Sequence, residues 1–110
     1  MILTNKDLVS LEIILKETRK VYQRHQQHDN LIFIDDMLNK IDNYLHDYSR
    51  DSFEINLPKN HLIALKTCLV DLVNTSLTKG LLDMCQESIR LQEIVINEFN
   101  KINNEDYKNN

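Results

Sequence analysis

The chain has 110 residues, of which one is glycine, one is proline and none is tryptophan. Tight turns consume glycine and proline, so this composition excludes a fold built mainly from short strands and predicts a few long helices. The 17 acidic and 13 basic side chains give a formal net charge of −4 at pH 7, which argues against broad contact with nucleic acid or with an anionic membrane.

Apolar residues recur with the helical period in four segments, which we predict as helices over residues 5–28, 31–48, 59–79 and 81–103. Thr4 or Asn5 can cap the first helix, and Lys79 followed by Gly80 is typical of a helix that ends in the left-handed conformation. The predicted buried faces of the four helices are, in order, Leu8, Leu11, Ile14, Leu15, Thr18, Val21 and Tyr22; Ile34, Met37, Leu38, Ile41, Tyr44, Leu45 and Tyr48; Leu62, Leu65, Cys68, Leu69, Leu72, Val73, Ser76 and Leu77; and Leu81, Cys85, Ser88, Gln92, Val95, Phe99 and Ile102.

Residues 49–58 form one longer connection, between the second and third helices. Phe53, Ile55 and Leu57 alternate with polar residues, so we predict an extended segment that packs its apolar side on the helices. This segment is too isolated to form a sheet on its own. The fold class is therefore predicted as all-α, an antiparallel four-helix bundle with one extended crossover between helices 2 and 3. In a variant, the third and fourth segments form one long kinked helix, because Gly80 alone is a weak break.

The length fits one domain, and we assign residues 1–103 to a single helical-bundle domain and residues 104–110 to a frayed polar tail. No apolar run is long enough to cross a bilayer, and the N-terminus lacks a secretion-signal pattern. On two antiparallel helices Cys68 and Cys85 would lie roughly 9 Å apart along the axes, beyond the reach of a disulfide, so we predict two buried free thiols. These features predict a cytoplasmic protein without membrane insertion.

A second set of apolar residues falls outside the predicted core faces. Ile2, Val9 and Ile13 wind to nearly the opposite side of the first helix from Leu11 and Thr18. The fourth helix has a matching stripe at a spacing of seven residues, formed by Leu82, Ile89 and Ile96. Either both helices have broad buried faces that touch two neighbours each, or these stripes are an interface with a second copy or with another protein.

Two polar residues, Ser88 and Gln92, interrupt the apolar seam of the fourth helix. If the chain self-associates, they could hydrogen-bond across helices and fix the register in which the helices pack. Alternatively, they could lie at a polar gap on the edge of the bundle.

The sequence predicts no catalytic, cofactor-binding or metal-binding residues, and no cofactor. His25 and His28 are three residues apart on a helix beside Asp29, but a closed zinc site needs four ligands. No glutamate has a histidine three residues later, as the bundles that hold two iron ions require. One glycine cannot build a phosphate-binding loop.

Arg19 and His25 lie on the first helix with five residues between them. This spacing resembles the motif of HEPN-type ribonucleases, small all-α proteins with an Arg, four to six residues and a His on one helix. The resemblance implies that Arg19 would hold a phosphate while His25 moves a proton. It covers seven residues and departs from the family in two ways: Lys20 follows where the family has Asn, Asp or His, and the motif lies early in the chain.

The basic residues Lys16, Arg19, Lys20 and Arg24 could contact nucleic acid, but a charge run on a helix is usually a solvated face, and we do not predict a nucleic-acid partner.

We predict a non-enzymatic protein-interaction or regulatory module that acts through dimerisation or a protein partner. By analogy with proteins of this size, it would be a bacterial or phage regulator, antitoxin, chaperone or immunity-type protein. The predicted interface residues are Ile2, Val9, Ile13, Leu82, Ile89 and Ile96. The alternative is a HEPN-like ribonuclease that uses Arg19 and His25.

Overall fold

The computed structural model describes residues 1–25, 28–80 and 82–108, and the side chains of all of these except residues 75–78 and 106–108. Within these residues the chain is mostly helical, with four helices and a small two-stranded sheet. In chain order the elements are β1 (Ile2–Thr4), α1 (Asn5–Arg24), α2 (His28–Leu45), β2 (Ser52–Glu54), α3 (Lys59–Lys79) and α4 (Leu82–Lys108).

Contacts group the chain into two compact units. The N-terminal unit, residues 2–56, contains both strands with α1 and α2, and the C-terminal unit, residues 57–110 together with Met1, contains α3 and α4. The assignment of residues 1–103 to one domain stays a prediction.

The sheet of the N-terminal unit joins the start of the chain to the connection after α2. β1 and β2 are antiparallel, and Leu3 lies opposite Phe53 with both side chains buried. The next pair along the ladder, Ile2 opposite Glu54, is exposed, as the alternation of strand side chains requires.

The connection does form a sheet, because residues 2–4 supply a partner strand that the sequence did not predict. The extended conformation and its alternation are confirmed, since Phe53, Ile55 and Leu57 are all buried. A purely all-α fold class is corrected to a mostly helical chain with one small sheet.

Of the two predicted caps for α1, the structure shows Thr4. The backbone N–H of Asp7 donates to Thr4 Oγ1 at 3.2 Å, and the N–H of Thr4 donates to Asp7 Oδ2 at 2.9 Å. The N–H of Asn5 donates to the carbonyl of Asp51 at 3.0 Å. Because this reciprocal cap and the sheet both involve residue 4, they fix together where the strand ends and the helix begins.

The helices α1 and α2 pack as an antiparallel hairpin in the N-terminal unit. Their buried residues are Asp7, Leu8, Leu11, Ile14, Leu15, Thr18 and Tyr22 on α1 and Ile34, Met37 and Ile41 on α2. The ring of Tyr44 packs against Phe53 with a centroid distance of 5.1 Å. Val21, predicted to be buried, is exposed, because it lies at the edge of the apolar face of α1.

The ends of α1 and α2 differ from those predicted. α1 ends at Arg24, so His28 begins α2 instead of ending α1. α2 ends at Leu45, and Tyr48, predicted to be buried, is exposed because it follows that end. In the turn, the side chain and backbone N–H of Ser49 donate to Asp47 and lower the pKa of that carboxyl group.

The C-terminal unit is a second antiparallel hairpin, in which the start of α3 lies beside the later part of α4. The ammonium of Lys59 lies 5.6 Å from the centroid of the Phe99 ring. Gly80 has a φ of 71°, which confirms the left-handed turn after Lys79 and excludes the single kinked helix. The buried residues are Leu62, Leu65, Cys68 and Leu69 on α3 and Cys85, Ser88, Leu91, Val95 and Glu98 on α4.

The predicted seam of α4 is correct in part. Gln92, Phe99 and Ile102 are only half-buried, whereas Leu91 and Glu98, which were not predicted, are buried. Leu81, the predicted first residue of this helix, lies outside the described residues, as do the side chains of Ser76 and Leu77. The helix continues to Lys108, past its predicted end at residue 103.

Cys68 and Cys85 are both free and buried, as predicted. Over the residues that the structure describes, no helix combines the length and the apolar character needed to cross a membrane.

Candidate functional site

Five of the six predicted interface side chains are exposed. The exposed fraction is 65% at Ile2, 46% at Val9, 54% at Ile13, 65% at Leu82 and 46% at Ile89. Large aliphatic side chains with this exposure are not part of the core of either unit. The sixth residue, Ile96, is half-buried and lines a groove beside α4.

The structure separates Ile2 from the helical stripe to which the sequence assigned it. Ile2 belongs to β1, because the cap at Thr4 makes α1 begin at Asn5. Only Val9 and Ile13 therefore form the stripe on α1. Leu82, Ile89 and Ile96 all lie on α4, as predicted.

A groove of about 360 Å³ runs between α3 and α4 in the C-terminal unit. Its volume lies near the lower end of the range found for ligand pockets in proteins. Its apolar lining residues are Leu62, Ile63, Val70, Val95, Ile96 and Phe99. Its polar lining residues are Lys66, Thr67, Asp71 and Asn100.

Two exposed residues of this groove, Ile63 and Val70 on α3, were missed by the sequence analysis. They are spaced by seven residues, as are Leu82, Ile89 and Ile96 on α4. The same heptad spacing could therefore have indicated a stripe on α3 that borders the groove together with Ile96 of α4.

Ser88 is fully buried, and among the described residues its Oγ has no hydrogen-bond partner. The predicted hydrogen bond across helices is therefore not made by Ser88 within that part of the chain. Gln92, four residues later, is half-buried.

A charged pair lies on the opposite flank of α4 from its exposed stripe. The α-amino group of Met1 lies 3.1 Å from Glu98 Oε2, and both side chains are nearly excluded from solvent. Residue 98 is two positions from Ile96 and winds to the far side of the helix, so this pair lies on the buried side of α4 and does not cover the stripe.

The Arg and His of the ribonuclease-like pattern have different environments. Arg19 Nε donates to Asp35 Oδ1 at 2.6 Å, and this hydrogen bond, together with the charge of Asp35, raises the pKa of Arg19. His25 is the exposed C-cap residue of α1. A phosphate that bound to Arg19 would have to compete with the carboxylate of Asp35.

Three members of the basic cluster on α1 have carboxylate neighbours. Lys16 Nζ lies 3.3 Å from Glu12 and Lys20 Nζ lies 3.0 Å from Glu17, while Arg19 pairs with Asp35. These carboxylates reduce the positive potential that a nucleic-acid backbone would meet.

The histidines near the turn between α1 and α2 do not gather a metal-ligand set in the described part of the chain. Across those residues no group of three or more His, Cys, Asp or Glu side chains could hold a metal ion.

No family model matches the chain, and no curated protein and no solved structure is significantly similar to it.

Proposed function

We propose that this chain is a non-enzymatic interaction module that dimerises or binds a protein partner and regulates it. The observation that carries the proposal is the exposure of large aliphatic side chains on both units, Val9 and Ile13 on α1 and Leu82 and Ile89 on α4. Aliphatic side chains that line up along a helix and remain in water favour burial against another protein.

The groove between α3 and α4 supports the same proposal for the C-terminal unit. Ile96 lines it, and Ile63 and Val70 extend the apolar surface onto α3. A groove bordered by two helices is a common docking site for apolar side chains of a partner. Acidic residues around such surfaces would set the choice of partner.

Two finer predictions belong to this proposal. The four helices would combine into one antiparallel bundle, and the protein would act in the cytoplasm. Regulators, antitoxins, chaperones and immunity proteins are all built at this size, and no described residue selects one of these classes.

The test uses single substitutions Val9→Lys and Ile89→Lys, with Val21→Lys as the matched control. Val21 has the same 46% exposure as Val9 and Ile89, and it lies on α1 outside both stripes. We expect Val9→Lys or Ile89→Lys to abolish self-association or the capture of one identified partner, because a lysine at the centre of an apolar contact must be desolvated. Val21→Lys should leave association unchanged.

Circular dichroism and sedimentation velocity, with mass spectrometry of proteins captured from the source organism, provide the measurements. Unfolding of the Val9 and Ile89 variants would show that the stripes are core, and the proposal would fail. Unchanged self-association and unchanged capture in both variants would also contradict it.

The ribonuclease alternative stays a hypothesis and has a simple test. An RNA-cleaving activity that is lost in His25→Ala and in Arg19→Ala would support it. Asp35→Ala is an informative companion, because it releases Arg19 from its carboxylate and should increase such an activity.

A further inference from the structure

We propose that the partner of the α4 stripe is a second copy of this chain, whose α4 packs antiparallel to the first about a two-fold axis at Ile89. The inference rests on the proposed function, since it names the partner of a surface assigned to protein interaction. It commits the C-terminal unit to a symmetric contact between identical helices.

The stripe is self-complementary in this register. Leu82 and Ile96 are each seven residues from Ile89, so an antiparallel pair with Ile89 opposite Ile89 brings each Leu82 opposite the Ile96 of the other copy. At 1.5 Å per residue the stripe extends over about 21 Å of helix. In this register each of the three residues of one copy contacts an apolar residue of the other copy. A symmetric helix pair requires this pattern.

The groove selects the antiparallel over the parallel pairing. Leu82 is 65% exposed, and Ile96 lines the groove of about 360 Å³. Antiparallel packing places Leu82 of each copy beside the groove of the other, where Ile63 and Val70 extend the apolar surface. Parallel packing would place Leu82 against Leu82 and leave both grooves open to water.

The charges along this face of α4 suit an identical partner. Gln86 and Glu93 lie on the same flank of the stripe, and the two-fold axis brings the Gln86 amide of one copy close to the Glu93 carboxylate of the other. Glu87 and Arg90 pair with each other at 2.6 Å and point away from the stripe. The contact therefore brings no like charges face to face.

The size of the contact predicts its strength. Two helices that touch over about 21 Å bury less surface than a standard stable interface. We therefore expect a reversible monomer–dimer equilibrium with a dissociation constant on the order of micromolar.

The first experiment is disulfide cross-linking of the variant Ile89→Cys. The symmetric register places the two introduced thiols opposite each other, so mild oxidation should give a covalent dimer. Leu82→Cys is the matched control, because its nearest neighbour across the axis is Ile96 and not its own counterpart. The unsubstituted chain, with Cys68 and Cys85 both buried, should stay uncross-linked.

The second experiment measures the dissociation constant by sedimentation equilibrium. Each dimer contains Ile89 twice at its centre, so Ile89→Lys should raise this constant by about 100-fold or more. Leu82→Ser, at an exposed position at the start of α4, should also raise it, and Val21→Lys should leave it unchanged.

The inference is overturned if the chain is monomeric up to about 1 mM, a concentration at which even weak complexes form. It is also overturned if Leu82→Cys cross-links as readily as Ile89→Cys, because the register would then differ. If the chain is monomeric but Ile89→Lys still prevents capture of a different protein, the inference fails and the proposed function stands. If capture is also unchanged in Val9→Lys and in Ile89→Lys, both fail.

Discussion

At the scale of single residues, the burial of the Ser88 hydroxyl has a free-energy cost. This hydroxyl is fully buried and has no hydrogen-bond partner among the described residues. A buried hydroxyl that loses its bonds to water without replacing them costs about 1–3 kcal/mol. Ser88 therefore reduces the stability of the hairpin whose core it occupies.

We predict that Ser88→Ala raises the free energy of unfolding by about 1 kcal/mol, because it removes this cost and leaves only a small cavity. Urea titration followed by circular dichroism measures the change. Ser10→Ala, at a half-buried position on α1, is the control for the higher helix propensity of alanine. A lower free energy of unfolding in Ser88→Ala would show instead that the hydroxyl makes a stabilising hydrogen bond.

Among the elements, the connection between α3 and α4 depends on one backbone conformation. Gly80 has a φ of 71°, and a Cβ at this position would have no atom within 4 Å. The cost of a side chain here is therefore conformational and not steric. The turn contributes to the hairpin that carries both the groove and the α4 stripe.

We predict that Gly80→Ala lowers the free energy of unfolding by about 1 kcal/mol, because alanine disfavours the left-handed region. For a chain of this size, the corresponding decrease in Tm is roughly 4 °C or more, which calorimetry can measure. Gly80→Asn should cost less, since asparagine tolerates this conformation. Equal Tm values for the alanine variant and the unsubstituted chain would contradict the role of the turn.

In the molecule as a whole, net charge and exposed apolar surface act against each other. The formal charge of −4 at pH 7 opposes association between copies of the chain, and it vanishes near the isoelectric point of about 5.5. We predict that light scattering rises as the pH falls from 7 to 5.5 at low salt, because repulsion between copies disappears while the apolar side chains stay exposed. The control, Ile89→Lys at its own isoelectric point, should scatter less. Scattering that falls as the pH approaches 5.5 would contradict the prediction.

Much of the fold could be predicted because local physical chemistry determines it. The helical period located all four helices, and the buried residues of α1 agree with the predicted face except at Val21 and at Asp7, which was not predicted. Gly80 and Thr4 marked a helix end and a helix start, because a left-handed turn and a reciprocal cap each need particular residue types within four positions. The exposed stripe on α4 followed from the same winding of the helix.

The features that depend on residues far apart in the chain became visible only in the folded molecule. Ile2–Thr4 becomes a strand only because Ser52–Glu54, about fifty residues later, supplies its ladder partner. Arg19 is held by Asp35 of the next helix, and the groove exists only because α3 and α4 lie side by side. The sequence by itself determined which segments are helical, where α1 begins and α3 ends, and which face of each helix is apolar. These properties depend on residues within one or two helical turns of each other. Packing determined which of them meet across the fold, because contacts between distant segments leave no periodic signal in one chain.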